Sequence, residues 1–162
     1  MSAAVDISPA AFPNVAVKFD AIGMPSTKGS ARGFVVAGKG GRGPRAIITN
    51  DAGPKAKAWA AIVSDAATTA MGSGTPLTGP LDVTVTFWLP RPKSHSTAKG
   101  LRADAPKWVA KRPDADKLAR CFLDALTGIV FGDDAQIARL LVEKKYTAHR
   151  VGASCTVLMY GE

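Results

Sequence analysis

The stretch Lys111 to Gln136, K-R-P-D-A-D-K-L-A-R-C-F-L-D-A-L-T-G-I-V-F-G-D-D-A-Q, decides how the rest of the chain is read. The ring of Pro113 disfavours the α region for Arg112 and sets a boundary before a helix. Asp114 is then extended, and Asp116 stands where an N-cap or first-turn residue belongs. Leu118, Cys121, Phe122, Ala125 and Leu126 recur at i, i+3, i+4, i+7 and i+8, the spacing of one helix face packed on a core. Gly128 supplies the stop, because a residue without Cβ takes the left-handed conformation at little steric cost. On the opposite face Asp116, Arg120 and Asp124 follow at i+4, so charges alternate along the solvent side.

Two carboxylate pairs bracket this helix: Asp114 with Asp116, and Asp133 with Asp134. In an extended D-x-D both side chains point to one side, and the return of the chain can bring Asp134 to them. Several carboxylates held together repel unless a cation joins them, and a few hard oxygen ligands suit Mg²⁺, which keeps sites open for waters and phosphate. Each pair alone has an ordinary reading, as helix capping with dipole compensation or as a turn. Their joint occurrence around one helix favours a metal site.

The segment resembles the signature of the RusA family of Holliday junction resolvases, P-D-x-D-[KN]-L-x-[KR]-x-x-x-D-A-L-x-G-x-[VA]-[FY]-x-D-D-[AS]-Q, closely over residues 111–142 and more weakly elsewhere. The resemblance implies a homodimeric, Mg²⁺-dependent endonuclease, with Mn²⁺ an alternative metal, that binds four-way DNA junctions and cuts two opposing strands. Carried over by position, Asp114, Asp116 and Asp134 are the metal-binding carboxylates, with Asp133 a neighbour. In the best-known members a lysine follows the first aspartate by six residues, where this chain has Arg120. Arginine keeps the charge but not the compact ammonium, so stabilising a phosphate survives more easily than proton transfer. Lys117 replaces the family's usual asparagine and either offers a second cation to the phosphate or is a solvated helix-face lysine.

In bulk the chain fits one domain: 162 residues with 46% apolar composition suffice for a core. Twenty-one Lys plus Arg against thirteen Asp plus Glu leave a charge of +8, which favours a polyanionic partner. Cys121 and Cys155 lie in no C-x-x-C or His-rich spacing, so they read as buried small hydrophobes in a reducing cytoplasm, with neither zinc nor a disulfide. The N-terminus lacks a basic start followed by an apolar run, and no segment reaches bilayer length, so a cytoplasmic protein is expected; the resemblance implies a bacterial host cell, with a phage or prophage origin.

Residues 1–12 read as a flexible leader and 13–162 as the folded domain. Val15, Val17 and Phe19 alternate as a first strand, followed by a basic, glycine-containing loop that reads as a plain connection or, as the resemblance implies, as a DNA-backbone contact through Lys28 and Arg32. Phe34–Ala37 and Arg45–Thr49 form a hairpin. Asn50 or Asp51 caps a helix starting near Pro54, whose buried stripe is Trp59, Ile62, Val63, Ala66 and Ala70. Leu81–Leu89 alternates Val83, Val85, Phe87 and Leu89 against Asp82, Thr84, Thr86 and Trp88, a central strand. Residues 90–112 are too polar and proline-broken for a core element and are placed to hold DNA, with Arg91, Lys93, Lys111 and Arg112 as contacts. Within this loop His95 is expected to be solvated, and Trp108 to anchor the loop rather than stack on an unpaired base. Ile137–Tyr146 fits helix or strand by pattern, and the resemblance selects strand, with Val151–Met159 as its antiparallel hairpin partner.

The expected architecture is α/β of the α+β type, one domain in which two helices cover a mixed, largely antiparallel sheet. No βαβ succession carries a glycine fingerprint, which disfavours a Rossmann-type sheet. The expected function is metal-dependent resolution of four-way DNA junctions in recombination and repair. Its competitors are a Mg²⁺ nuclease acting on other branched DNA and a junction-binding protein that does not cut.

Overall fold

Strict alternation between Leu81 and Pro90 builds the strand on which everything packs, β4, with Leu81, Val83, Val85 and Phe87 wholly buried on one face. In the computed structural model, which describes residues 14–29, 32–38, 40, 43–49 and 53–160, β4 lies inside a four-stranded sheet. The order is β1 (Asn14–Ile22), β8 (Gly152–Met159), β4, β7 (Ile137–Thr147). β8 runs antiparallel to both neighbours, whereas β7 is parallel to β4 and forms the sheet's edge. A separate hairpin pairs β2 (Arg32–Val36) with β3 (Arg45–Thr49), and two short strands, β5 (Ser96–Thr97) and β6 (Gly100–Leu101), pair within the long loop. Thus the α+β domain with a mixed, largely antiparallel sheet and two helices is observed.

Both helices cover one face. Helix α1 (Pro54–Met71) buries Ala56, Trp59, Val63 and Ala67. This stripe differs from the expected one: Ile62 is 36% exposed and Ala70 is exposed, while Ala67 is buried. The cause is the phase of the helix, which aims Trp59 and Val63 at the sheet and turns Ile62 aside. Gly53 stands at the N-cap and Pro54 opens the helix, while the expected caps Asn50 and Asp51 lie outside the described residues. Helix α2 (Ala115–Leu126) buries the expected Leu118, Cys121, Phe122, Ala125 and Leu126, together with Ala119 and Leu123. It ends at Thr127, and Gly128 follows with φ 83°, the left-handed conformation expected of it.

Phe122 is the hub of the core, with its ring 5.7 Å from Phe87, 6.1 Å from Phe19 and 6.5 Å from Trp59. One α2 residue thereby joins β4, β1 and α1, and Ser64 Oγ adds a 3.0 Å bond to the Ala125 carbonyl across the helix pair. The other sheet face is a polar ladder, as the alternation of β4 predicts: Trp88 donates to Ser154 Oγ, Thr86 to Glu143, and buried Asp82 accepts from Arg139 and Tyr160. Such a face can stand without a second layer, although Asp82 Oδ1 is buried with no hydrogen-bond partner among the described residues.

Ile137–Thr147 is a strand, as the resemblance selects, but it does not form a hairpin with β8. Strand β4 lies between them. The connection from β4 through α2 returns the chain parallel to β4, a crossover needing a dozen or more residues, and β8 then fills the opposite side. The leader at residues 1–12 lies outside the described residues, as do Lys39, Gly41 and Arg42 of the loop between β2 and β3.

The segment 90–112 is more ordered than its composition predicts. It holds a 3₁₀ turn (Lys93–His95), the β5–β6 pair and a bridge from Trp108 to Lys145 on the edge of β7. Its anchor is Val109, 7% exposed and packed with Leu89 and Tyr146, whereas Trp108 is 52% exposed. Lys145 explains the swap: it pairs with Trp108 across the bridge and lays its ammonium 4.7 Å from the indole centre, which keeps the ring outside. His95 is not simply solvated either, since its ring meets Tyr146 edge-on at 5.0 Å. No described helix is long and apolar enough to cross a membrane.

Candidate active site

The D-x-D reaches the start of α2 as its sequence directs. Asp114 is the N-cap with extended φ −71° and ψ 138°, and Asp116 occupies the first turn. Neither side chain bonds a helix N–H, so both carboxylates remain available to other partners. Asp114 meets Lys117 at 3.3 Å, one turn on. The Arg112–Pro113 peptide just before is cis.

Asp134 arrives from the other end of α2 on a short 3₁₀ turn, Asp134–Gln136, whose capping box fixes it. Asp133 Oδ1 accepts from the Ala135 N–H at 2.8 Å, and Gln136 Oε1 accepts from the N–H groups of Gly132 and Asp133 at 2.9 and 3.1 Å. The same Gln136 amide donates to the carbonyls of Leu77 and Gly79, which ties the turn to the loop before β4. Asp133, expected beside the metal, uses Oδ1 to hold the turn that presents Asp134. The D-x-x-Q spacing is a capping-box signal legible in the sequence.

Asp116, Arg120 and Asp134 line one shallow cavity of about 440 Å³, floored by Leu123, Leu140 and Val142. Asp114 opens instead into an adjoining cavity of about 450 Å³ with Thr27, Arg112 and Lys117. The structure therefore brings two of the three expected carboxylates together, with Arg120, and places the third across the helix start. Among the described residues no three His, Cys, Asp or Glu side chains form a metal cage by themselves. The donor set still fits a Mg²⁺-type ion, which protein sites hold through one or two carboxylates while substrate phosphate and water complete the shell.

The expected DNA contacts divide. Lys93, Lys111 and Arg112 are exposed or line the second cavity. Lys28 pairs with Asp124 at 2.7 Å and fastens its loop to the outer face of α2. Arg91 donates to the Pro106 carbonyl at 2.8 Å and lies 5.4 Å from the Tyr146 ring centre, bracing the long loop. The backbone of Arg32 opens β2, and its side chain lies outside the described residues.

One residue escaped the sequence reading. Lys144, on β7, donates through Nζ to the carbonyls of Lys111 and Pro113 at 2.8 and 2.7 Å, clamping the peptide that leads into Asp114. A lysine in a strand pattern gives no sign of this, since its partners lie more than thirty residues away and are backbone atoms.

Fold and site together define an α+β protein with an acidic, arginine-flanked cavity where a helix start meets a capped turn. The chain belongs to the RusA endodeoxyribonuclease family: the family model "Endodeoxyribonuclease RusA" matches residues 32–156. It is also similar to the uncharacterized protein YqaN of Bacillus subtilis (strain 168), 30% identical over 134 residues, which cover 81% of this chain and 88% of that relative. The family is one of nucleases that resolve Holliday junctions.

Proposed function

We propose that this chain is a divalent-metal-dependent endonuclease that resolves four-way DNA junctions by paired, symmetric nicks, acting as a homodimer in the cytoplasm of a bacterial cell, on a host, phage or prophage genome. The observation that carries the reading is the convergence of Asp116, Asp134 and Arg120 on one cavity from two separate segments of chain. Asp116 and Asp134 would hold Mg²⁺, or Mn²⁺, with Asp114 as the third carboxylate of the set. A cation there supplies Lewis acidity and a water of lowered pKa.

The chain's own groups supply the rest. Arg120, on the same cavity wall, stabilises the charge that grows on the phosphate, a role that suits a permanently charged guanidinium and needs no proton transfer. Lys117 keeps Asp114 turned toward the helix start. Together with Arg112 it provides positive charge beside the carboxylates, so that a phosphate is attracted to an otherwise acidic site. Lys93 and Lys111 extend this charge along the strand, and the net +8 of the chain supports a polyanionic partner.

The test incubates the protein with a synthetic four-way junction and a matched linear duplex, with Mg²⁺ and with EDTA, and resolves the strands on a denaturing gel. Metal-dependent paired nicks near the branch point, absent from the duplex, are expected. Equal cutting of flaps or duplex moves the assignment to a broader nuclease. Junction binding without nicks makes the chain a non-cleaving binder, a reading favoured by Arg120 standing where the best-known members carry lysine.

A further inference from the structure

The segment 90–112 keeps its tryptophan outside. Trp108 is 52% exposed while its neighbour Val109 takes the buried place, although an indole has far more apolar surface to bury than a valine. Two ammonium groups flank the ring: Lys145 Nζ lies 4.7 Å from its centre and Lys107 Nζ 5.9 Å. Lys145 Nζ also lies 5.8 Å from the ring centre of Trp88, so the two indoles share one cation and stand no farther apart than those two distances together. The Trp88 ring is fixed in turn by its 2.9 Å bond to Ser154 Oγ.

Beyond Trp88 the stripe opens into a cavity of about 350 Å³, which Trp88 shares with Ile22, Ser154, Asp20, His149 and Arg150. That volume lies in the range of small-ligand pockets. His149 and Arg150 are exposed on the turn between β7 and β8. Among the described residues neither they nor Lys107 enter an ion pair. Glu143 offsets Lys145 at 2.7 Å, and Asp20 is the other acid of the stripe. Rings and cations thus alternate along one end of the polar sheet face, with positive charge in excess.

We propose that this stripe, Trp108, Lys145 and Trp88 with the cavity beyond them, is a binding site for single-stranded DNA. Bases stack on the indoles, since every base has a π-face and such stacking tolerates any sequence. Lys107 and Arg150 meet the phosphates, and Asp20 accepts from the N–H of a base in the cavity. Paired bases turn their faces to one another, so a duplex cannot use two rings in series. The site rests on the reading of the chain as a nuclease of branched DNA, and it extends the substrates to branches with an unpaired arm. Lys144 and Lys145 face opposite sides of β7: the first clamps the carbonyls before Asp114, and the second carries the stripe. A single strand on the outer face therefore lies across the sheet edge from the carboxylates.

The test uses the full chain in EDTA with a labelled oligothymidylate of about 16 nucleotides, a matched duplex and poly-glutamate, read by anisotropy and by tryptophan emission. Trp108→Ala is expected to bind the single strand roughly 5–150-fold more weakly, the range that one stacked base supplies. Its far-ultraviolet circular dichroism should not change, because the ring is exposed. Trp108→Phe keeps a ring and should recover most of the affinity, while losing much of the emission quenching that the unmodified protein shows on binding. Lys107→Ala should lower the slope of log affinity against log salt by roughly 0.7, one single-strand phosphate contact. Failure of the unmodified protein to bind the single strand overturns the proposal, as does an unchanged affinity in Trp108→Ala. An equal loss on the duplex, or poly-glutamate bound as tightly and with the same dependence on Trp108, also overturns it and assigns the surface to duplex DNA or to an acidic protein. No metal and no junction enter these readings, so a chain that cuts no junction can still pass them and one that cuts can still fail.

Discussion

Lys144 Nζ lies 2.7 Å from the carbonyl oxygen of Pro113, the residue before the first carboxylate of the site. The ammonium also holds the Lys111 carbonyl, and between them these bonds fasten the approach to α2 onto the edge of the sheet. Position at the site therefore depends on a residue that touches no substrate in the proposed mechanism.

Replacing it with Met keeps the aliphatic stem and removes both bonds. Lys144→Met is expected to stay folded with a loss of about 1–3 kcal/mol, as for hydrogen bonds to a charged donor, measured by urea denaturation. Its junction cleavage should fall roughly 10–100-fold, the usual effect of losing a group that orients a metal ligand, while junction affinity in EDTA is unchanged. Lys144→Arg, which still donates, should recover part of the rate. Full activity in Lys144→Met would show that the clamp does not position Asp114.

Asp116→Asn and Asp134→Asn each remove one charge from the shared cavity without changing its shape. Both variants are expected to lose cleavage and retain junction binding in a gel shift, and isothermal titration should show weakened Mg²⁺ or Mn²⁺ uptake. Cleavage by either variant at the unmodified rate would sink the metal assignment.

Arg120 acts in the proposed mechanism as charge, not as a proton donor. Arg120→Ala should then lower single-turnover cleavage by about 10²–10³-fold, the magnitude of removing one preorganised group that stabilises a transition state. Arg120→Lys, with the residue the best-known relatives carry, should cut at a rate close to the unmodified protein. Loss of activity in the lysine variant equal to that in the alanine variant would mean that the guanidinium geometry, not charge, matters.

The two thiols give a pH prediction independent of DNA. Burial pushes the Cys155 thiol from its ordinary 9.0 up to about 12, and burial with Asp124 nearby raises Cys121. A raised thiol pKa favours the neutral form in the fold, so its contribution to stability is whole below pH 9.0 and is lost as pH rises from there toward about 12. Native protein at pH 8 should resist a thiol reagent, and both cysteines should react once urea unfolds the chain. Rapid labelling of native protein would contradict the burial.

Helix α2 and its flanking carboxylates were legible because their signals are local. A Pro–helix boundary, a 3.6-residue apolar stripe and a glycine stop all act within a few residues of one another, and the D-x-x-Q turn at Asp133 closes on itself. Helix α1 was half legible: its start followed from Pro54, but an alanine-rich stripe is nearly degenerate in phase. Only the sheet beneath chose Ala67 over Ile62. Trp108 and Val109 show the same limit, since neighbours in an extended segment face opposite sides, and the bridge to Lys145 settled which one faced inward.

The sequence by itself determined the α+β class, the extent of α2, the alternation of β4 and, through the D-x-D to D-D-A-Q pattern, the family and the expected site residues. Only the tertiary structure decided that β7 lies parallel to β4 at the sheet edge with β8 on the far side, that Asp116 and Asp134 share a cavity while Asp114 faces Lys117, and that Lys144 holds the loop before them. The reason is physical. Periodicity and capping are written in the spacing of neighbouring residues, whereas strand partners, the facing of side chains across a helix start and a lysine's choice of carbonyl depend on chain segments brought together only when the core closes around Phe122.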